Sequence, residues 1–472
     1  VYKTNLLVKM LCLVANKAAT LDPSGIGMDM EANKPGWYDS LNGLPGLLGS
    51  SIAETLELKR LALFMLDTFD QLSVNGSEPV LIFEELALFI EELKGILDEK
   101  IDALDYWKKS NTAKEEYREK VRLGICGVER EMALCDVRRF LEAIVRKVNA
   151  GLQKAKGPDG LFPTYYYYKV TKYEAVDGVP PSKEGPRVRP LLFERHEMPL
   201  FLEGFVHGLR CEKDSVLARG LHEKVRKSPL YDRALGMYKL NADITSETEE
   251  VGRTRVFPRG WLENESIWLH MEYKYILELL RRGLYEEFYA ALSTCCVAFM
   301  PPKRYGRSIL ENSSFLVSSA HHDQELHGQG FVARLSGSTA EFIHIWMVMN
   351  AGLSPFVMKG KNEVELALRP ALKAEFFTKE ASRPEVVRDG KAFSVALAAN
   401  TYAFMFMGRT LVVYHNSKRK DTFGAKGAKA VRTELVYAGT KKAHVVSGAT
   451  IPCAQARDVR DGKVERIDIY LE

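Results

Sequence analysis

The period of the hydrophobic pattern changes once along this chain, and that change limits the fold more than any other feature. Up to about Leu353, apolar residues recur at three- and four-residue spacing, which marks amphipathic helices. Helices are expected over residues 4–19, 52–69, 82–104, 194–210, 215–227, 264–282, 285–299 and 338–351, with one or two more in 111–152. Residues 157–190 break the pattern with Gly, Pro and four consecutive tyrosines, Tyr165 to Tyr168, and predict a β-hairpin or a long ordered loop. Polar loops fill 243–260 and 303–336. Past residue 353 come short strand-like runs at 364–368, 392–399, 401–407, 410–414, 431–436, 444–446 and 465–471. Asp389-Gly390, Gly408-Arg409 and Asp461-Gly462 act as turn signals between them. The expected organisation is a mostly α domain over 1–352, then an all-β domain over 353–472, a sandwich. Periodicity leaves the arrangement of the helices open.

With 46% hydrophobic and 27% charged residues over 472 positions, the composition is that of an ordinary globular protein. A net charge of +4 with dispersed basic residues, apart from Lys418-Arg419-Lys420, carries no nucleic-acid signature. No apolar run reaches bilayer length, and Lys9 and Lys17 interrupt the first apolar stretch, which therefore predicts a helix rather than a leader. Seven cysteines without a CxxC pair argue against a disulfide framework or a zinc ribbon and predict a cytoplasmic protein. The chain opens without Met and almost inside a helix, which predicts a piece of a longer polypeptide.

Residues 28–51, MDMEANKPGWYDSLNGLPGLLGSS, form the most distinctive stretch. Gly, Pro and Asn predict an irregular loop, yet it carries Trp37, Tyr38 and Asp39 beside Leu41, Leu44, Leu47 and Leu48. A helix follows, with Ser50 or Ser51 as N-cap and Glu54 behind it. A carboxylate walled by aromatics is desolvated, and desolvation keeps a proton on an acid at neutral pH. The alternative role for Asp39 is to cap a turn.

This stretch resembles the catalytic loop of the inverting sugar phosphorylases of glycoside hydrolase family 94, where a Trp-Asn-Asp-x-x-Asn segment carries the general acid. Here Trp37-Tyr38-Asp39-Ser40-Leu41-Asn42 takes those positions, with Tyr for the usual Asn. The long Asn-Gly-Leu-Pro-Gly-Leu segment after Asp39 is closer to the β-1,2-oligoglucan phosphorylase branch than to cellobiose phosphorylase. Two further segments carry the resemblance. Trp261 to His270 is similar to a segment in which a His binds phosphate, and by position that is His270, which could otherwise be a core histidine. Gly330 to Thr339 is similar to a phosphate-holding Thr-Gly-Ser/Thr turn, with Ser336, Gly337 and Ser338 in place and Arg334 just upstream. Such a turn at a helix start offers N–H groups, hydroxyls and the positive end of the helix dipole, while Ser338 and Glu341 also fit a capping box.

The resemblance implies an (α/α)6 toroid lacking its N-terminal helices, followed by a β-sandwich. It implies phosphorolysis of a β-glucoside or β-gluco-oligosaccharide to α-glucose 1-phosphate. Asp39 would be the acid, and Trp37, Tyr38, Asn42 and Glu263 would hold the sugar. His270, Arg334, Ser336, Gly337 and Ser338 would hold inorganic phosphate, the co-substrate, with no other cofactor and no metal. His321, His322, Asp323 and His327 match no standard metal spacing, and 303–308 could also meet the anion. A homodimer or a separate N-terminal segment is the expected protein partner; no nucleic acid or membrane is expected. Two other readings stand: an inverting hydrolase with Glu263, Glu265 or Glu311 as base, and a non-catalytic carbohydrate-binding fragment.

Overall fold

The computed structural model describes residues 2–31, 38–176, 178, 180–181, 183, 185–332, 336–359, 363–440 and 442–472. The chain divides into two compact units. One comprises Val1–Glu278 with Ala290–Ser338, and the other Leu279–Tyr289 with Thr339–Glu472.

The first unit begins with α1 (Leu6–Ala18), started by the Asn5 side chain, which accepts from the Val8 N–H at 3.0 Å. Then come α2 (Ile52–Gln71), α3 (Glu84–Asp98), α4 (Ala103–Val121) and α5 (Leu134–Ala155). Their apolar faces share one core that includes Leu11, Leu58, Leu86, Ile90, Phe140 and Val148. The expected helix over 82–104 is not one element. Val80 and Ile82 are buried and Leu81 is exposed, a period of two, and Pro79–Phe83 pairs with Glu129–Ala133 as a strand. A second break follows Asp98, because the Asp102 carboxylate takes the Asp105 N–H at 2.8 Å and starts α4.

The tyrosine-rich segment is a hairpin, Tyr165–Ala175 with Val188–Glu197. Residues 194–197 therefore extend a strand, and α6 (Leu202–Cys211) starts later than the spacing implied. Met28–Asp29 and Ser50–Ser51 complete a four-stranded sheet with this hairpin, Met28 opposite Ser51 and Ser51 opposite Tyr165. The distinctive loop is thus closed at its base by its own flanking strands. α7 (Ser215–Lys227), α8 (Leu269–Arg281), α9 (Tyr285–Cys295) and the short α10 (Pro302–Tyr305) follow. Residues 264–268 are not helical: Leu262 and Glu265 adopt positive φ, 46° and 57°, and Ile267–Trp268 joins a sheet with Phe315–Leu316 and Gly330–Phe331.

α11 (Ser336–Ala351) leads into the β-rich second unit. Its largest sheet runs Thr401–Phe406, Thr410–His415, Val464–Leu471, Ala430–Tyr437, Ala443–Ser447, with the second and third strands parallel. Asp389-Gly390 turns a hairpin through φ of 48° and 75°, and Met407-Gly408 turns another through 52° and 69°. Asp461-Gly462 does something else: it ends α12 (Cys453–Arg460), a helix the spacing did not reveal, so this unit is not all-β. Among the described residues, no helix is long and apolar enough to cross a membrane.

Phe140 is fully buried in the first core, whereas Leu123 is 91% exposed. Phe140→Ala should lower stability by ~3–5 kcal/mol in urea unfolding, and Leu123→Ala by a few tenths at most. Equal effects would place the core elsewhere.

Candidate functional site

The loop between Asp29 and Ser50 turns its tyrosine inward and its acid outward. Tyr38 is buried, edge-on to Phe201 at 5.2 Å, and its hydroxyl donates to the Glu263 carbonyl at 2.6 Å. Thr254 Oγ1 donates to the same carbonyl at 2.8 Å. Asp39 opens a short 3-10 turn, Asp39–Leu41, with 68% of its side chain exposed, and its carboxylate lies 2.9 Å from the Arg253 guanidinium. The expected burial of Asp39 among rings is therefore not what the structure has: Tyr38 takes the interior, and the next side chain on the turn points away from it. Trp37 lies outside the described residues.

A second segment clasps this turn. The Gly43 N–H donates to the Val251 carbonyl at 3.2 Å, and the Arg253 N–H donates to Asn42 Oδ1 at 3.3 Å. Only glycine fits at the two closest points: a Cβ on Gly43 would overlap the Glu250 carbonyl, and one on Gly252, at φ 130°, would meet the Ser40 carbonyl. The clasp delivers Arg253 to Asp39 and also to Glu263, 3.7 Å away. Glu263 is the shielded carboxyl of the pair, 13% exposed. Burial raises its pKa above the usual range, opposed by Arg253 and reinforced by the charge of Asp39.

Tyr38 also lines a cavity of about 440 Å³ with Tyr165, Asp29, Glu31, Glu54, Glu203, Lys17 and Arg118. Lys17 pairs with Glu54 at 2.5 Å, and Arg118 pairs with Glu31. Asp29 accepts from Trp107 Nε1 at 3.1 Å, and burial pushes its carboxyl up to about 7. Glu203 accepts from the Tyr165 hydroxyl, and burial raises it too. Tyr165 thus faces the cavity, while Tyr166 and Tyr168 are buried as packing of the hairpin.

α6 and α8 each present a polar stripe at helical spacing. On α6, Glu203 is followed by His207, whose Nδ1 is 2.7 Å from Glu57, and by Arg210, which reaches Glu57 at 3.2 Å and Glu278 at 2.8 Å. On α8 the same face carries His270, Lys274 and Glu278. Lys274 acts on both stripes, opposing the rise of the Glu203 carboxyl and adding to the depression of His270. Burial is the larger cause at His270 and pushes its pKa down to about 4, so the imidazole is neutral at pH 7.

The His270 ring covers the first turn of α11. A Cβ on Gly337 would stand 3.0–3.2 Å from three of its ring atoms. Ser338 is buried, and its hydroxyl has no hydrogen-bond partner among the described residues. α11 begins at Ser336, so Ser338 sits inside the first turn, not at the cap position that a capping box with Glu341 requires. Arg334 lies outside the described residues.

Other candidates have local structural work. Asn42 holds the clasp. Glu265 is buried between Lys239, at 2.6 Å, and Arg259. Glu311 pairs with Arg307, which also donates to the Gly330 carbonyl at 2.8 Å. His327 meets the His321 carbonyl at 2.8 Å, and His321 Nδ1 accepts from the Asp323 N–H at 3.1 Å. No group of three or more His, Cys, Asp or Glu that could hold a metal ion occurs among the described residues. Sequence reasoning missed Arg253, Lys274, Asp29 and Glu203; only Glu203, a single acid in the apolar run Met198 to Leu209, carried a visible signal.

Compared with known proteins, the chain matches no family model and no curated protein. What the arrangement offers chemically is a carboxylate pair bridged by a guanidinium, a polar cavity beside it, and a helix start capped by a neutral imidazole.

The depressed His270 sets a pH dependence. The unfolded chain takes up this proton near 6.5 and the folded chain only near 4, so stability falls as pH drops through that window. His270→Gln should flatten the urea-midpoint profile between these values and leave it unchanged above pH 7. Parallel acid slopes for both proteins would contradict the burial of this imidazole.

Proposed function

We propose that the chain is an inverting glycoside phosphorylase, cleaving a β-glucoside or β-gluco-oligosaccharide with inorganic phosphate to α-glucose 1-phosphate. In this proposal residues 1–352 are part of an (α/α)6 toroid and residues 353–472 a β-sandwich. The Ser338 hydroxyl carries the reading. A buried hydroxyl without a partner costs ~1–3 kcal/mol, and a bound oxyanion at the start of α11 would supply the missing partner. Around it, His270 can donate a hydrogen bond without adding charge, Gly337 lets that imidazole close over the first turn of α11, and Lys274 one turn further along α8 balances the phosphate.

On the opposite face of the sugar, Asp39 protonates the glycosidic oxygen. The anomeric C–O bond breaks as a phosphate oxygen forms its bond to the same carbon, and solvent returns the proton to Asp39. Bound sugar supplies the desolvation that Asp39 lacks when open to water, and Glu263 keeps Arg253 engaged as Asp39 takes its proton. Tyr38 and the cavity beside it hold the sugar. Phosphate brings its own nucleophilic charge, so no protein base is required. That suits a site in which Glu265 and Glu311 are tied up in ion pairs.

The raised Glu263 beside Asp39 favours one competing reading, an inverting hydrolase using both carboxyls. Sugar release without phosphate would select it.

Asp39→Asn should lower kcat by ~10²–10⁴-fold with the fold intact by circular dichroism. Ser338→Ala should raise the KM for phosphate by about tenfold and leave the saccharide KM unchanged. Wild-type turnover in the first variant, or an unmoved phosphate KM in the second, would end the respective assignment.

A further inference from the structure

A second cavity, of about 330 Å³, lies apart from the residues described above, in a groove formed by α2, α5, α6 and α7. Its floor is apolar, built from Leu56, Leu152, Phe162 and Leu221, and Val216 and Leu217 form an exposed apolar lip. Its charge is one-sided. Lys59 from α2, Lys156 just beyond α5 and Lys224 from α7 line it, and none of the three forms an ion pair among the described residues. Among the described residues Glu212 is the only acid lining it, and its carboxylate already accepts the Asp214 N–H at 3.0 Å. Asp159, in the adjoining loop, accepts the Leu161 N–H at 2.9 Å.

A lysine on a helical surface can pair with a carboxylate one turn away, as Lys108 does with Asp105 on α4. Here three lysines from separate elements line one concavity instead. Lys224 is also held inward: Gly160, at φ 78°, leaves its backbone bare, and a Cβ there would overlap the Lys224 Nζ. Asn149 and Gln153 add amide donors from α5. Charge of one sign in a pocket with low-dielectric walls concentrates counter-ions, and a pocket of this size takes a small molecule.

We infer that this groove binds a phosphate monoester of a ring-bearing small molecule, its phosphate among Lys59, Lys156 and Lys224 and its ring on Phe162 and Leu221. The site is separate from the proposed phosphate turn at α11 and does not depend on the reading given for it.

Calorimetric titration of the full chain at low salt tests this with glucose 6-phosphate, AMP, inorganic phosphate and glucose as probes. At least one ester should bind saturably in the micromolar to low-millimolar range, and neither inorganic phosphate at equal concentration nor glucose should displace it. The triple variant Lys59→Gln, Lys156→Gln, Lys224→Gln should lose about tenfold or more in ester affinity, while His270→Ala keeps it. Lys224→Gln alone should weaken binding measurably, which keeps the test open if the triple variant misfolds. Absence of saturable ester binding, displacement of the ester by inorganic phosphate at equal concentration, or unchanged affinity in the lysine variants would overturn the proposal. Loss of ester binding in His270→Ala would do so too, by moving that binding to α11.

Discussion

The hydrogen bond from the Tyr38 hydroxyl to the Glu263 carbonyl, 225 residues away in the chain, is the constraint on which the candidate site rests. It ties an irregular loop, laddered at its base by Met28–Asp29 and Ser50–Ser51, to a second irregular loop. With the Tyr38 ring packed against Phe201 and Tyr165, its hydroxyl reaches the Glu263 carbonyl. Once that bond forms, Gly43 and Gly252 allow the backbones to close, and Arg253 arrives at two carboxylates together. The electrostatics at Asp39 and Glu263 follow from this backbone approach and not from either residue alone.

The seam along α6 and α8 extends the same logic inward. Glu57, Glu203, His207, Arg210 and Glu278 lie along facing helices, and buried charges persist only when paired. Glu278 is fully buried against Arg210. Glu203 is instead shielded by the Tyr165 hydroxyl and raised by burial, which leaves a protonatable group facing the cavity. Lys274 feels both this acid and His270, so the cavity and the start of α11 are electrically coupled through one residue on α8.

Much of the helical framework was legible because burial imposes its own period. α1, α2, α7 and α11 fall within two residues of their expected bounds. Failures came where two periods share one apolar run. Val80 and Ile82 read as a helix start but alternate as a strand, and residues 264–268 look helical until Leu262 and Glu265 take positive φ. Asp461-Gly462 has the same letters as Asp389-Gly390, yet one ends a helix and the other turns a hairpin, because the flanking segments decide. At the site, aromatic and carboxylate neighbours in sequence predicted neighbours in space, and the turn separated them: Tyr38 went in and Asp39 went out. Arg253 could not be found by composition, since its role depends on a backbone approach that only Gly43 and Gly252 permit.

The central claim is that Asp39 and the α11 turn act on the two faces of one sugar, with phosphate as the nucleophile. Proton and phosphorus NMR of the first turnovers, with a panel of β-linked gluco-oligosaccharides and phosphate, tests it directly through the anomer formed. The account predicts α-glucose 1-phosphate as the initial product, appearing in step with loss of the non-reducing glucose unit. The β anomer, or free glucose released at the same rate without phosphate, would contradict it.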